Sequence, residues 1–229
     1  MKSTEEVAKR VVDLNSALRR ENFERPQYKF ALKLLDMLNP VDRTLVEFGG
    51  GRAECSRLLK ERNYEVTFTD INRANVEWAR GQGFPAYLAD MNNPLDMFSD
   101  NSFGVAILLE VIEHIPMAEL ALREVYRILK PGGFLILSTP NPYFLWHRLS
   151  VLFGNPIRGE GYHYRYYTKT SLESTLQGTG FTIVKRLPKA TGFGLNLILR
   201  TLGASIDFTL PHQMHGLFAR KFYIAAQKI

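Results

Sequence analysis

The sequence predicts an α/β fold built on a doubly wound, mostly parallel sheet, and three observations predict it. Between residues 44 and 138 short apolar runs alternate with amphipathic helical stretches, a βαβα rhythm that implies right-handed crossovers. One run, Phe103–Leu109, is apolar throughout, as a central parallel strand covered on both faces would be. Another, Thr44–Phe48, leads straight into Gly49-Gly50-Gly51 and then a helical pattern. The 229 residues, 45% hydrophobic and 23% charged, exclude disorder and low-complexity architecture. A chain of this length buries roughly 70% of its unfolded surface, enough for a core without staples. A single domain, 1–229, is expected.

The elements follow in order. Residues 4–39 read as a helical N-terminal extension broken near Pro26, with Val7, Val11, Leu14 and Leu18 on one stripe and Phe30, Leu34, Leu35 and Leu38 on another. Asn39-Pro40 ends it. Residues 40–139 form the first half of the sheet. Thr44–Phe48 is the first strand, followed by a helix to about Arg62; Glu65–Thr69 is the second, ending at Asp70 and followed by a helix, Arg73–Arg80. Pro85–Leu88 is the third strand, ending at Ala89-Asp90, and Phe103–Leu109 the fourth. A helix, Met117–Leu129, is closed by Lys130-Pro131-Gly132-Gly133, and Phe134–Ser138 is the fifth strand. Residues 140–229 carry the rest: an insert at 140–167 with a short helix around Leu145–Phe153, a helix Lys169–Gln177, a strand Phe181–Leu187, a Gly-rich apolar insert at 191–217 and a last strand, Lys221–Gln227. That makes seven strands.

Cys55, the one cysteine, rules out an internal disulfide, and no Cys/His cluster has zinc-ligand spacing. No segment approaches 18 uninterrupted apolar residues, and the opening MKSTEEVAKRVVDLNSALRR has no apolar signal-peptide core. A cytoplasmic protein is expected. The net charge of +6 is uneven: residues 44–140 carry 9 basic and 13 acidic side chains, residues 141–229 carry 11 and 3. A basic last third suits an anionic substrate, a membrane surface or simply a solvated face.

At the glycine turn a ligand can approach bare backbone, and the following helix N-terminus offers free N–H groups. A nucleotide is the natural guest there. A dinucleotide fingerprint, G-x-G-x-x-G, would put a third glycine where Glu54 stands, and no Gly-Lys-Ser/Thr completes a phosphate loop. Asp70, 19 residues beyond Gly51 at a strand end, is placed to accept ribose hydroxyls, and Asp90 to meet an adenine amino group. Acids and glycines without basic phosphate ligands suit a positively charged nucleoside lacking phosphates, and S-adenosylmethionine fits that description.

Glu47-Phe48-Gly49-Gly50-Gly51 resembles the first motif of the class I S-adenosylmethionine-dependent methyltransferases. The likeness continues through Asp70, Asp90, Leu109-Glu110-Val111-Ile112-Glu113-His114-Ile115, and the run from Leu122 to Gly133. These last two segments are most similar to the branch that holds quinone-biosynthesis and many small-molecule methyltransferases. The resemblance spans about residues 40–187 and the last strand. Glu47 replaces the commoner Asp, and Ala53 stands where a third glycine often falls. The resemblance implies S-adenosylmethionine as cofactor, S-adenosylhomocysteine as product, and cofactor contacts from Glu47, Phe48, Gly49, Gly51, Asp70, Ile71, Asp90, Met91 and Glu110.

On the acceptor side, His114 lies just past the fourth strand, where the acceptor should face the methyl group, and titrates near neutral pH. His163 is its rival as a base. Residues 141–167 hold eight aromatics, and Tyr143, Trp146, Tyr162 and Tyr166, with Arg165, are candidate substrate contacts in a lid. His212 and His215 have no nearby carboxylate to make a metal pair, and no metal is expected. The function read from these residues is methyl transfer to a small-molecule acceptor, most readily a hydroxyl oxygen, then nitrogen or carbon. The acceptor would be anionic, lipid-like or carbohydrate-linked, with peripheral membrane contact compatible and nucleic acid not expected. Rival readings are a non-catalytic cofactor-binding subunit, an NAD-dependent oxidoreductase and an RNA methyltransferase. Oligomeric state is not legible.

Overall fold

A computed structural model describes residues 25–156, 163–187 and 215–229. The start of the helical extension, Tyr162 and most of the 191–217 insert lie outside the described residues. Helix α1 (Pro26–Leu38) begins with Pro26 in its first turn, where a missing N–H costs nothing. Asn39 ends it in the left-handed region, φ 42°, and donates its N–H to Leu35 O at 2.8 Å. Then come β1 (Thr44–Phe48), α2 (Glu54–Lys60), β2 (Glu65–Asp70), α3 (Arg73–Gly81), β3 (Ala86–Leu88) and β4 (Phe103–Leu109). A 3-10 turn, Ile112–His114, leads to α4 (Ala118–Ile128), β5 (Leu129–Pro140) and α5 (Leu145–Leu152). The chain continues with α6 (Lys169–Gly178), β6 (Phe181–Arg186), a single turn α7 (His215–Phe218) and β7 (Lys221–Lys228).

The strands form one seven-stranded sheet in the order β3-β2-β1-β4-β5-β7-β6. β1 to β5 pair in parallel, and β7 runs antiparallel to both of its neighbours. The doubly wound, mostly parallel sheet with an antiparallel last strand is therefore what the chain builds. Because side chains alternate across a strand, each interior strand feeds two cores. Leu45, Phe68, Ile107, Ile136 and Tyr223 face α1, α2 and α3 on one side. Val46, Ala106, Leu108, Leu135 and Leu137 face α4 and α6 on the other. Phe30 of α1 stacks on Tyr223 of β7, ring centroids 4.4 Å apart.

One boundary differs from the sequence reading. The fifth strand starts at Leu129, not Phe134, and runs through Pro131-Gly132-Gly133. Phe103 pairs with Leu129, and the register then shifts so that Val105 pairs with Phe134. The glycines make an irregularity within the strand rather than a turn before it: Gly132 takes φ 79°, and a Cβ on Gly133 would lie 2.8 Å from Lys130 O.

Candidate active site

At the carboxyl ends of β1 and β4, where the strand order reverses, the chain leaves a cavity of about 380 Å³. Glu47, Phe48 and the Gly49–Gly51 turn line one end; Glu110, Glu113, His114, His163 and Lys221 line the other, with Arg25, Gln27 and Tyr28 of the α1 region alongside.

The glycine end is held by β2. Gly49 (φ 68°) and Gly51 (φ 58°) take the left-handed region that glycine allows, and Gly49 donates its N–H to Thr69 O at 2.9 Å. Asp70 sits under the turn rather than in the cavity lining. Its Oδ2 accepts the Gly51 N–H at 2.9 Å and the Asn75 side-chain amide at 3.1 Å, and its Oδ1 accepts the Asn72 N–H at 2.8 Å. Glu47 is buried behind the turn and accepts a hydrogen bond from the Ser56 hydroxyl. Burial pushes its carboxyl up from 4.5 to about 7 against the pull of that hydroxyl, and the charge of Asp70 adds to the rise. Ile71 and Asp90 are half-buried; Asp90 closes a turn by accepting from Asn92 and Asn93, and Met91 packs into the core. None of Asp70, Ile71, Asp90 and Met91 lines the cavity.

The other end is built where β4 stops. Glu110 takes φ 57°, a left-handed conformation rare outside glycine, and turns the chain from β4 toward the 3-10 segment. Its carboxylate accepts from Ser138 Oγ at 2.6 Å and Lys221 Nζ at 2.5 Å. Glu113 is 1% exposed. Its Oε2 accepts from Thr139 Oγ1 at 3.0 Å, while Oε1 is buried without a hydrogen-bond partner among the described residues. Burial first, and the charge of Glu110 second, push its carboxyl well above the ordinary range. The backbone carbonyl of Glu113 accepts the N–H groups of Tyr164 and Arg165 at 2.9 and 3.2 Å. That pair of bonds brings the distant His163 beside His114, ring centroids 4.8 Å apart. One carboxylate oxygen of Glu113 and one ring nitrogen from each histidine all lie within 4.8 Å of one another. No spacing along the chain announces this group, which is why the sequence shows no metal set.

Of the candidate substrate contacts, Tyr143 and Trp146 are exposed beside or on α5, a helix with no buried residue. Tyr166 is exposed and its ring lies 6.1 Å from that of His163. The Arg165 guanidinium is engaged by Glu119 at 2.6 Å and Pro116 O at 3.2 Å. Among the lining residues that reading along the chain did not assign to the site, four are titratable: Arg25, Tyr28, Glu113 and Lys221. Tyr28, which donates to Glu54 at 3.1 Å, and Arg25, 3.4 Å from the same carboxylate, were read only as part of a helical cap. Glu113 was visible as the neighbour of His114. Lys221 reaches the site only because β7 pairs with β5, Pro140 opposite Lys221.

Residues 18–186 match the family of methyltransferase domains. The mitochondrial ubiquinone biosynthesis O-methyltransferase of Mus musculus is 31% identical over 90 residues, covering 37% of this chain and 24% of that protein. The ubiquinone/menaquinone biosynthesis C-methyltransferase UbiE of a Bradyrhizobium strain is 26% identical over 160 residues, covering 60% and 63%. The match thus spans a quarter of one relative's length and under two thirds of the other's. The crystal structure of a SAM-dependent methyltransferase from Archaeoglobus fulgidus superposes with a TM-score of 0.63 at 19% identity, over 88% of this chain and 94% of that one.

Proposed function

Since this chain belongs to the class I S-adenosylmethionine-dependent methyltransferases, we propose that it transfers the methyl group of that cofactor to a hydroxyl oxygen of a small organic acceptor. The cavity's donor set fits the cofactor. A cation at sulfur and an ammonium group suit a site walled by Glu47, Glu110 and Glu113, and the bare backbone of Gly49–Gly51 admits close approach. Glu54, where a dinucleotide site would have its third glycine, is held by Tyr28 and Arg25 beside the turn and would oppose a pyrophosphate.

Bound in this cavity, S-adenosylmethionine supplies a methyl group on a positively charged sulfur, an excellent leaving group. The chain's own contribution is then positioning, worth up to about 7–11 kcal/mol when the reacting atoms are aligned. The Gly49–Gly51 turn, pinned by Thr69 and Asp70, sets one end of the alignment. Val111 and the 3-10 turn set the other, by fixing His114 and His163 where a hydroxyl acceptor would lose its proton. The observation that carries this reading is the presence of the glycine turn and the His114–His163 pair in one cavity. The names of the two quinone-biosynthesis relatives and the exposed aromatics around α5 support an aromatic, lipid-like hydroxyl as acceptor. Among the described residues no helix is long and apolar enough to cross a membrane.

Calorimetric titration with S-adenosylhomocysteine, with NAD in a parallel cell, tests the cofactor half. Micromolar binding of the first and none of the second is expected; folded protein that binds neither would leave a non-catalytic reading. For the acceptor half, His114→Ala should keep S-adenosylhomocysteine affinity and lower turnover by about 10²–10⁴-fold. An unchanged rate would remove His114 from the chemistry.

A further inference from the structure

Building on the methyl-transfer reading of the cavity, on which it rests, we infer that Lys221 is a specificity-determining residue that recognises an ionised acid group, carboxylate or phosphate, on the acceptor. In the β5–β7 register Lys221 stands opposite Pro140, so β7 delivers it to the carboxyl edge of the sheet, at the acceptor end. Among the described residues lining that end, it alone is a lysine or arginine. Arg25, on the α1 side of the cavity, lies 3.4 Å from the Glu54 carboxylate, which balances its charge.

The ammonium is held at the cavity rather than left to swing into solvent. Nζ donates to Glu110 Oε2 at 2.5 Å, and Ser138 Oγ donates to the other oxygen of the same carboxylate at 2.6 Å. Glu110 is fixed in turn by its left-handed backbone at the end of β4. The rotamer freedom of a long lysine side chain is therefore given up before an acceptor arrives, which favours binding. An ammonium carries three donors, and among the described residues Nζ spends one of them, on Glu110. The Lys221 side chain is 33% exposed, so its other donors stand in partly dehydrated surroundings. There a charge-assisted bond to an anion gains more than it would in bulk water.

The neighbouring groups leave room for that anion. Glu110 is already balanced by Lys221, and His114 and His163 bring no negative charge. Glu113 is the other acid at this end, and burial, then the charge of Glu110, hold its carboxyl well above the ordinary range, so it does not oppose an arriving anion. The cavity of about 380 Å³ must also receive the cofactor, so the acid group and the hydroxyl that is methylated belong to one compact head group. A purely structural ion pair would tie β4 to β7 equally well, but it would not distinguish a charged acceptor from its neutral analogue.

The test loads the full chain with S-adenosylhomocysteine and titrates it calorimetrically with 3-hydroxybenzoate, 3-hydroxyphenyl phosphate and, as the neutral control, methyl 3-hydroxybenzoate. At least one of the two anions should bind about tenfold or more tighter than the ester, and which of them does so separates carboxylate from phosphate. Lys221→Met should erase most of that preference, and Lys221→Arg should keep part of it. Glu110→Gln should raise it, because the ammonium then answers to the acceptor alone; a structural pair would show no such gain. The double variant Lys221→Met with Glu110→Gln strands no carboxylate and should show no preference. Circular dichroism and S-adenosylhomocysteine calorimetry on each variant report whether the fold and the cofactor half survive. An ester that binds as tightly as the anions, a loaded chain that binds neither anion, or a preference that survives in folded Lys221→Met would overturn the assignment while leaving methyl transfer standing. A folded chain that does not bind S-adenosylhomocysteine is a separate failure, that of the methyl-transfer reading, and it removes the acceptor assignment with it.

Discussion

Asp70 serves three donors with one carboxylate: the Gly51 N–H, the Asn72 N–H and the Asn75 amide. Removing it leaves buried donors unpaired, so Asp70→Ala should lower stability by about 1–3 kcal/mol, measured by urea unfolding. On the proposed reading it should also weaken S-adenosylhomocysteine binding by one to two orders of magnitude, about 1.4–2.8 kcal/mol. Unchanged affinity in a folded variant would remove Asp70 from cofactor recognition. Glu47 shows its burial in a pH dependence. Its carboxyl titrates near 7 in the fold and near 4.5 when exposed, so the folded state holds the proton more tightly. The stability it contributes is whole below about pH 4.5, is lost as pH rises toward 7, and stays flat above. Glu47→Gln should lack this loss, so the gap between its urea midpoint and the wild type's should change between pH 4.5 and 7. A constant gap would mean that burial leaves the proton affinity of Glu47 unchanged. Residues such as these were legible because each stands at a strand end inside a short motif. The unpaired oxygen of Glu113 was not, since whether a carboxylate finds a partner is settled by packing and not by its neighbours in the chain.

The β1–α2 turn was equally readable, because three consecutive glycines are local chemistry, but their separate duties were not. Gly50, which does not take positive φ, is the position where a side chain has no room: a Cβ would lie 2.3 Å from Phe68 Cε2 and 3.2 Å from Glu47 Cδ. Phe68 is fully buried and cannot move aside. Gly50→Ala should therefore destabilise by about 1–3 kcal/mol in urea unfolding, through overpacking rather than backbone strain. A stability equal to the wild type's would show that β2 yields more readily than its packing implies. Ala53 illustrates the reverse. By residue type it breaks the glycine pattern, yet the backbone there still takes φ 55°, so the turn keeps its shape with a methyl group in the core. The start of β5 was misplaced for a similar reason: Pro-Gly-Gly is a turn signal locally, and only pairing with Phe103 draws it into the strand.

At the scale of the whole molecule, alternation along the chain foretold a parallel sheet, but Lys221 entered the site through pairing across some 80 residues. β7 lies between β5 and β6, antiparallel to both, so neither of those strands touches the other. A chain ending at residue 214 keeps every glycine and acid of the cofactor half but leaves the β5 edge bare. Expressed alone, that fragment should partition into the insoluble fraction; a soluble, monodisperse fragment would show that β5 tolerates an open edge. The same insertion imposes a waiting time on biosynthesis. Between release of Pro140 and of Lys221 from the ribosome, at about 5–20 residues per second, the nascent sheet carries an unclosed edge for on the order of 4–16 s. During that interval the bare edge of β5 is open to pairing with another extended strand.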